Sequence, residues 1–167
     1  MKQFTTLFRV FLFGALLAGF TACNKVDDDD IILPPTGGTE TITGSITSNT
    51  TWRAGNKYVL SGFVYVESGA TLTIEPGTII KGDKPTKGSL IIKPGAKIIA
   101  VGTQEKPIVF TSNQAAGQRA AGDWGGLVIL GKAPVNKIPA FVEGENVSEF
   151  GGTDPADNSG QLKYVRI

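Results

Sequence analysis

The residue types available for chemistry are carboxylates and cations. The long loops carry Asp83, Glu105, Asp123, Glu143, Glu145, Glu149, Asp154 and Asp157, and Arg119, Lys132 and Arg166 supply cations. Two facing carboxylates would suit glycoside hydrolysis, with their separation setting the stereochemical outcome. A cationic base beside carboxylates that hold Ca²⁺ would suit elimination from an acidic polysaccharide. No spacing among these residues selects a pair, so none is assigned as catalytic. Histidine is absent, which removes Ser-His-Asp and Cys-His catalysis and the commonest metal ligand. Asp154-Pro155-Ala156-Asp157-Asn158 lacks the alternation of an EF-hand loop and reads first as an Asx-type turn. Asp154 and Asp157 remain candidate ligand-binding residues. Trp124, ahead of Gly125-Gly126, is a third candidate, either stacking on a sugar or packing at a corner. No metal site and no cofactor is expected.

The other reactive residue is Cys23, the single cysteine, so an internal disulfide is excluded. Lys2 and Arg9 precede an apolar run over residues 10–20, which is too short to span a bilayer. Gly19-Phe20-Thr21-Ala22-Cys23 resembles a lipobox, with Phe20 where Leu is usual. Residues 1–22 are therefore expected to be a lipoprotein signal peptide, with Cys23 lipidated at the mature N-terminus. Asp27, Asp28, Asp29 and Asp30 follow. Four adjacent carboxylates repel one another and stay hydrated. The run resembles the export signal of surface-exposed lipoproteins, with the inner leaflet of the outer membrane as the alternative location and a solvated spacer as the plainer reading. Pro34-Pro35 and Gly37-Gly38 give a tether part stiff and part flexible, so residues 23–43 are assigned to anchor and linker.

Positioning of any site falls to the remaining residues, 44–167, read as one all-β domain. A motif of the form apolar, any, apolar, charged, Ser or Pro, Gly, small recurs at residues 64–72, 72–80 and 90–98. Apolar residues two apart share one strand face. Pro76-Gly77 and Pro94-Gly95 supply type II turns, because Pro presets φ at the first turn position and Gly accepts positive φ at the second. Leu72 and Leu90 are 18 positions apart, as are the two Pro-Gly pairs. Self-similarity near 20 residues signals stacked coils. The expectation is a parallel β-helix in which Leu72 lies beside Leu90 and Ile74 beside Ile92. Residues 47–58 are expected to cap the stack, with Trp52 as a plug. Trp124 to Gly131 is expected to return as a buried strand. The chain closes on Leu162-Lys163-Tyr164-Val165-Arg166-Ile167, an apolar strand with no polar cap, and is read as the first part of a longer protein.

Leu72 to Gly82, Lys106 to Ser112, Asp123 to Gly131 and Leu162 to Ile167, with the export segment, resemble the right-handed parallel β-helix lipoproteins of Bacteroidota. That resemblance implies a fold and an outer-membrane location, and supplies no activity. A left-handed helix is the alternative: Ile74, Ile80, Ile92 and Ile98 keep its six-residue step, but Thr86 and Gln104 break it. Net charge is +1, so no long-range field points to nucleic acid. Three functions follow: a surface scaffold binding glycan or protein, a carbohydrate-active enzyme with its site in later coils, and a structural envelope component. The missing histidine and the lack of a charged row along one face favour the scaffold over the enzyme.

Overall fold

The computed structural model describes residues 37–143 and 147–167. The stretch expected to be a signal peptide, Cys23, Asp27 to Asp30, most of the expected tether and Glu145 lie outside the described residues.

Among the described residues thirteen strands run β1 (Thr39–Ile46), β2 (Thr50–Trp52), β3 (Lys57–Val66), β4 (Thr71–Ile74), β5 (Ile79–Gly82), β6 (Ser89–Ile92) and β7 (Lys97–Val101). They continue with β8 (Ile108–Ser112), β9 (Gly126–Ile129), β10 (Ala140–Phe141), β11 (Glu149–Phe150), β12 (Gly160–Lys163) and β13 (Val165–Arg166). Apart from the small antiparallel β10–β11 hairpin, every pairing is parallel. Each coil has three faces. The first is the start of β1 and β3, then β5, β8 and β13. The second is the end of β1 and β3, then β6 and β9. The third is β2, β4, β7 and β12. Within β1 and β3 the chain passes between the first two faces at Gly44 and Gly62, both at φ 70°.

Alternation along each strand sends one row inward, as period-2 geometry requires. Leu60, Val64, Val66, Leu72, Ile74, Ile80, Leu90, Ile92, Ile98, Ile108 and Phe110 are all at most 2% exposed. The corners are the type II turns expected: Ala70, Thr78 and Ala96 donate their N–H groups to the carbonyls of Glu67, Glu75 and Lys93 at 3.0, 3.2 and 2.9 Å. Gly69, Gly77 and Gly95 hold φ of 86°, 87° and 83°, values at which a Cβ would crowd the carbonyl that follows.

The expected register is corrected. Leu72 pairs with Ile98 and Thr50, while Leu90 pairs with Val64 and Leu127. Leu72 and Leu90 share the interior but sit on different faces. The three motif copies occupy two kinds of corner. Residues 64–72 and 90–98 turn from the second face to the third, and Gly69 donates its N–H to the Gly95 carbonyl at 2.9 Å. Residues 72–80 turn from the third face to the first, below Arg53 to Asn56, where Glu75 donates its N–H to the Trp52 carbonyl at 3.0 Å. The 18-residue offset therefore joins unlike corners. Along the first face the true steps are Thr39 to Lys57, Lys57 to Ile79, Ile79 to Val109 and Ile108 to Val165. Such uneven coils remove the regular step that a left-handed helix needs. They fit a right-handed parallel β-helix, the hand that L-residues favour for parallel crossovers.

Two further expectations shift. The cap and the end of the linker are one complete coil: β1 begins at Thr39, inside the stretch assigned to the tether, and pairs with β3. Trp52 is buried within that coil and stacks on Tyr58, ring centroids 4.9 Å apart. The Trp124–Gly131 segment forms β9 only over Gly126–Ile129, and it is half-buried, with Ile129 41% exposed. β9 is the edge of its sheet, paired to β6 alone, so its inner row is covered from one side only.

Candidate functional site

The second face carries an unusual outer surface. Its two outward rows are Phe63, Ser89, Gly126 and Tyr65, Ile91, Val128, each residue registered on the next coil. On a solvated face these positions would be polar. Here Ile91 is 1% exposed although it points away from the core, so something covers it.

The cover comes from the loops. Residues 83–88 and 113–125 both bridge the first and second faces, and residues 130–159 carry the β10–β11 hairpin on the way from the second face to the third. One residue or more from each reaches the same place. Lys87, Gly125, Val142 and Glu143 join Phe63, Ser89, Ile91 and Val128 around a groove of about 220 Å³. Phe63 and Tyr65 lie side by side at its edge, ring centroids 6.3 Å apart. Lys93 sits over the Tyr65 ring at 4.6 Å and pairs with Glu67 at 3.1 Å. Glu67 also accepts the Ser45 hydroxyl at 2.8 Å. That cation–π contact fixes the Tyr65 ring plane.

Lys87 holds φ of 51°, a left-handed conformation that costs a non-glycine residue about 1–2 kcal/mol. Such strain persists where the surroundings overdetermine it, and it gathers at functional sites. The surroundings here are specific. The Ser89 hydroxyl donates to the Lys87 carbonyl at 2.8 Å, and Gly88 donates its N–H to the Asp83 carbonyl at 2.8 Å. Asp83 accepts the Thr86 hydroxyl at 2.8 Å, and Thr86 in turn accepts the Gly62 N–H at 2.9 Å. Gly125 approaches so closely that a Cβ there would lie 2.0 Å from the Ser89 hydroxyl oxygen.

The 83–88 and 113–125 loops are clamped to each other by Asp123. Its buried carboxylate pairs with Lys84 at 2.9 Å. It also accepts the Ser112 hydroxyl at 2.8 Å and the Ala120 N–H at 2.9 Å. The Lys84 bond, then the Ala120 and Ser112 bonds, lower its pKa from 3.8 to about 2 against the opposing effect of burial. Asp123 is thus a positioning residue, with its oxygens already taken.

The candidates read from sequence fall elsewhere. Trp124 packs on Phe110 with its ring nearly parallel, 6.4 Å between centroids, and lies over Gly82, where a Cβ would meet it at 2.3 Å. Asp154 accepts the Ala156 N–H at 3.0 Å, which is the Asx turn. Asp157 accepts the Lys132 N–H at 2.8 Å and the Ser159 hydroxyl at 3.4 Å. These three hold loops and do not line the groove. Arg119 and Arg166 belong to the first face, and Lys132 lies against the Gly95 corner. Of the charged candidates Glu143 alone lines the groove among the described residues; Lys87, which also lines it, is not one of those candidates. Among the described residues no group of three or more His, Cys, Asp or Glu comes together. A signal for the groove was present in Leu90-Ile91-Ile92: three apolar residues in a row leave no polar side, so that strand is covered on both faces.

A family model described as a pectate-lyase-like beta helix domain matches residues 44–167. No curated protein and no solved structure matches the chain. The match covers most of the chain and coincides with the stacked coils, and the chain therefore belongs to the pectate-lyase-like beta-helix family.

Proposed function

We propose that this chain is a lipid-anchored outer-membrane protein, displayed at the cell surface, whose β-helix is a binding scaffold that takes a glycan through the groove on its second face. The observation that carries the binding reading is the convergence of three loops on one apolar and aromatic surface, with Lys87, Ser89 and Glu143 at its margin. Aromatic rings with a few placed polar groups suit the apolar faces and hydroxyls of sugars. A glycan array probed with wild-type protein and with Phe63→Ala tests it. Selective retention of glycans, lost in the variant, is expected. Equal retention by both proteins would remove the groove from the reading.

The anchor rests on the pattern around Cys23 and on Asp27, Asp28, Asp29 and Asp30 behind it. Two or three acyl chains, at about 0.8 kcal/mol per buried CH₂, hold a protein stably where one chain is marginal. Cys23→Ala is expected to release the protein from membranes or stall its processing. Replacing the four aspartates with alanine is expected to keep lipidation and reduce cleavage by protease added to whole cells. Unchanged fractionation in the first case would sink the anchor, and unchanged cleavage in the second would leave the run a spacer.

A carbohydrate-active enzyme is the second reading. It is favoured by the family and by Lys87 and Glu143, an amine and a carboxylate lining one groove. Chain shortening of a retained glycan, abolished by Lys87→Ala, would establish it.

A further inference from the structure

The first face presents a different surface. Its outward positions are Thr39 and Thr41 on β1, Lys57 and Val59 on β3, Ile79 and Lys81 on β5, Val109 and Thr111 on β8, and Arg166 on β13. Four successive coils each supply one cation, which corrects the expectation that no charged row runs along one face. Lys57, Lys81 and Arg166 are on the strands themselves. The coil of β8 supplies Arg119, whose guanidinium donates to the Thr111 hydroxyl at 3.4 Å and to the Gln114 carbonyl at 3.1 Å. None of the outward strand positions carries a carboxylate. Among the described residues the ion pairs engage Lys84 and Lys93, which lie off this face. The β-helix therefore bears a file of four cations, none of them in an ion pair among the described residues.

The geometry of that file narrows the partner. Neighbouring coils stand about 4.8 Å apart, so the file runs about 14 Å along the helix axis. The cations are staggered. Lys57 and Arg166 share one register row, while Lys81 and Thr111 share the row two residues on, about 6.5 Å away. Between them lie the half-buried side chains of Ile79 and Val109 and the buried Val59, with Thr111 in the row of Lys81 and Thr39 and Thr41 on the coil before Lys57. An amphipathic strip running along the stacked coils suits a linear partner lying along the axis. Its outward strand positions hold no aromatic ring, so bases have nothing to stack on. Sugar rings can meet the aliphatic side chains and the hydroxyls. An ester sulfate or phosphate, projecting on a rotatable bond with oxygens in three directions, can reach either row and can take a guanidinium fork.

We infer that the first face binds a linear glycan bearing sulfate or phosphate esters, through Lys57, Lys81, Arg119 and Arg166. This site is separate from the groove of the second face, and the two can fail independently.

The test uses the purified full-length chain over immobilised dextran sulfate, phosphomannan and neutral dextran, with anionic phosphatidylglycerol vesicles and single-stranded DNA as further arms. Binding to either ester-bearing glycan and not to dextran is expected, and whichever binds names the ester. Affinity is expected to fall as salt rises, since ionic contacts displace counterions. Lys57→Glu with Lys81→Glu is expected to lower affinity at least tenfold without moving the melting temperature. Lys97→Glu on the third face is expected to leave it unchanged. Dextran bound as well as dextran sulfate, vesicles or DNA bound as tightly as the glycans, or a double variant that binds like wild type would each overturn the inference.

Discussion

The corners of the early coils and the connections of the fourth coil solve the same problem in opposite ways. Arg53 to Asn56, Glu67 to Ala70, Glu75 to Thr78 and Lys93 to Ala96 each turn the chain in four residues. The same passage from second to third face takes residues 130–159 in the fourth coil. The bend between the first two faces grows likewise. It is the Ser61-Gly62 kink inside β3, then residues 83–88, then residues 113–125. Yet the strands they connect stay in register, Ser89 on Gly126 and Ile98 on Gly160. The stack tolerates insertion because its stability comes from inward side chains and strand pairing between coils. A connection adds only its closure entropy, which grows slowly with length. Tight corners hold the stack together, and long connections are free to build a groove.

If that division holds, damage to the inward rows should cost most. Ile74, 2% exposed and enclosed by neighbouring coils, should lose about 2–5 kcal/mol on replacement by alanine. Urea unfolding with an unchanged m-value measures this, and a cost below about 1 kcal/mol would mean that the coils do not share one core.

Corners come next. Gly77 holds φ of 87° with open space around it, its nearest neighbour being the Lys106 Cβ at 3.6 Å from a built Cβ. Gly77→Val should therefore destabilise by backbone strain alone, about 1–2 kcal/mol. Gly95 has the same conformation, but a Cβ there would also meet Ser68 and Lys132 at 2.6 and 2.7 Å. Gly95→Ala should cost more than Gly77→Ala, and the reverse order in thermal melts would remove the steric account.

The loops should respond locally. Asp123→Asn breaks the Lys84 pair that joins residues 83–88 to residues 113–125. Faster proteolysis or amide exchange in those two loops is expected, with the strands still protected. The same pair gives a pH signature. The folded-state pKa lies below the ordinary value, so the contribution is present above about 3.8 and is lost as pH falls through about 2. Wild type should lose loop protection over that window, and the Asn variant should not show the step.

The smallest effect belongs outside the core and the loops. Thr73 lies on the outward row of the third face, registered between Thr51 and Ile99. Thr73→Ala should stay within about 0.5 kcal/mol. A larger loss would show that this face is covered by something.

Much of this architecture is local and was legible in the chain. Alternation at Leu72-Thr73-Ile74 fixes a strand face, and Glu75-Pro76-Gly77-Thr78 encodes its own type II turn, because both depend on residues within four positions of each other. The all-β class, the stacked interior and the identity of its inward rows followed. What stacks on what did not. Two corner types share one local motif, and nothing in residues 72–80 says that Leu72 sits between Thr50 and Ile98 rather than beside Leu90. An offset of 26 linking Gly69 to Gly95, and of 22 linking Gly55 to Gly77, was present in the sequence, but it competed with the 18 separating the two Pro-Gly pairs. Register is decided by long-range packing, where each coil must present matching rows to both neighbours at once. The groove is further from the sequence still. Lys87, Gly125, Val142 and Glu143 are drawn from three loops that share no motif. Only the folded stack, with the Asp123 clamp closed on Lys84, brings them over Phe63 and Ile91.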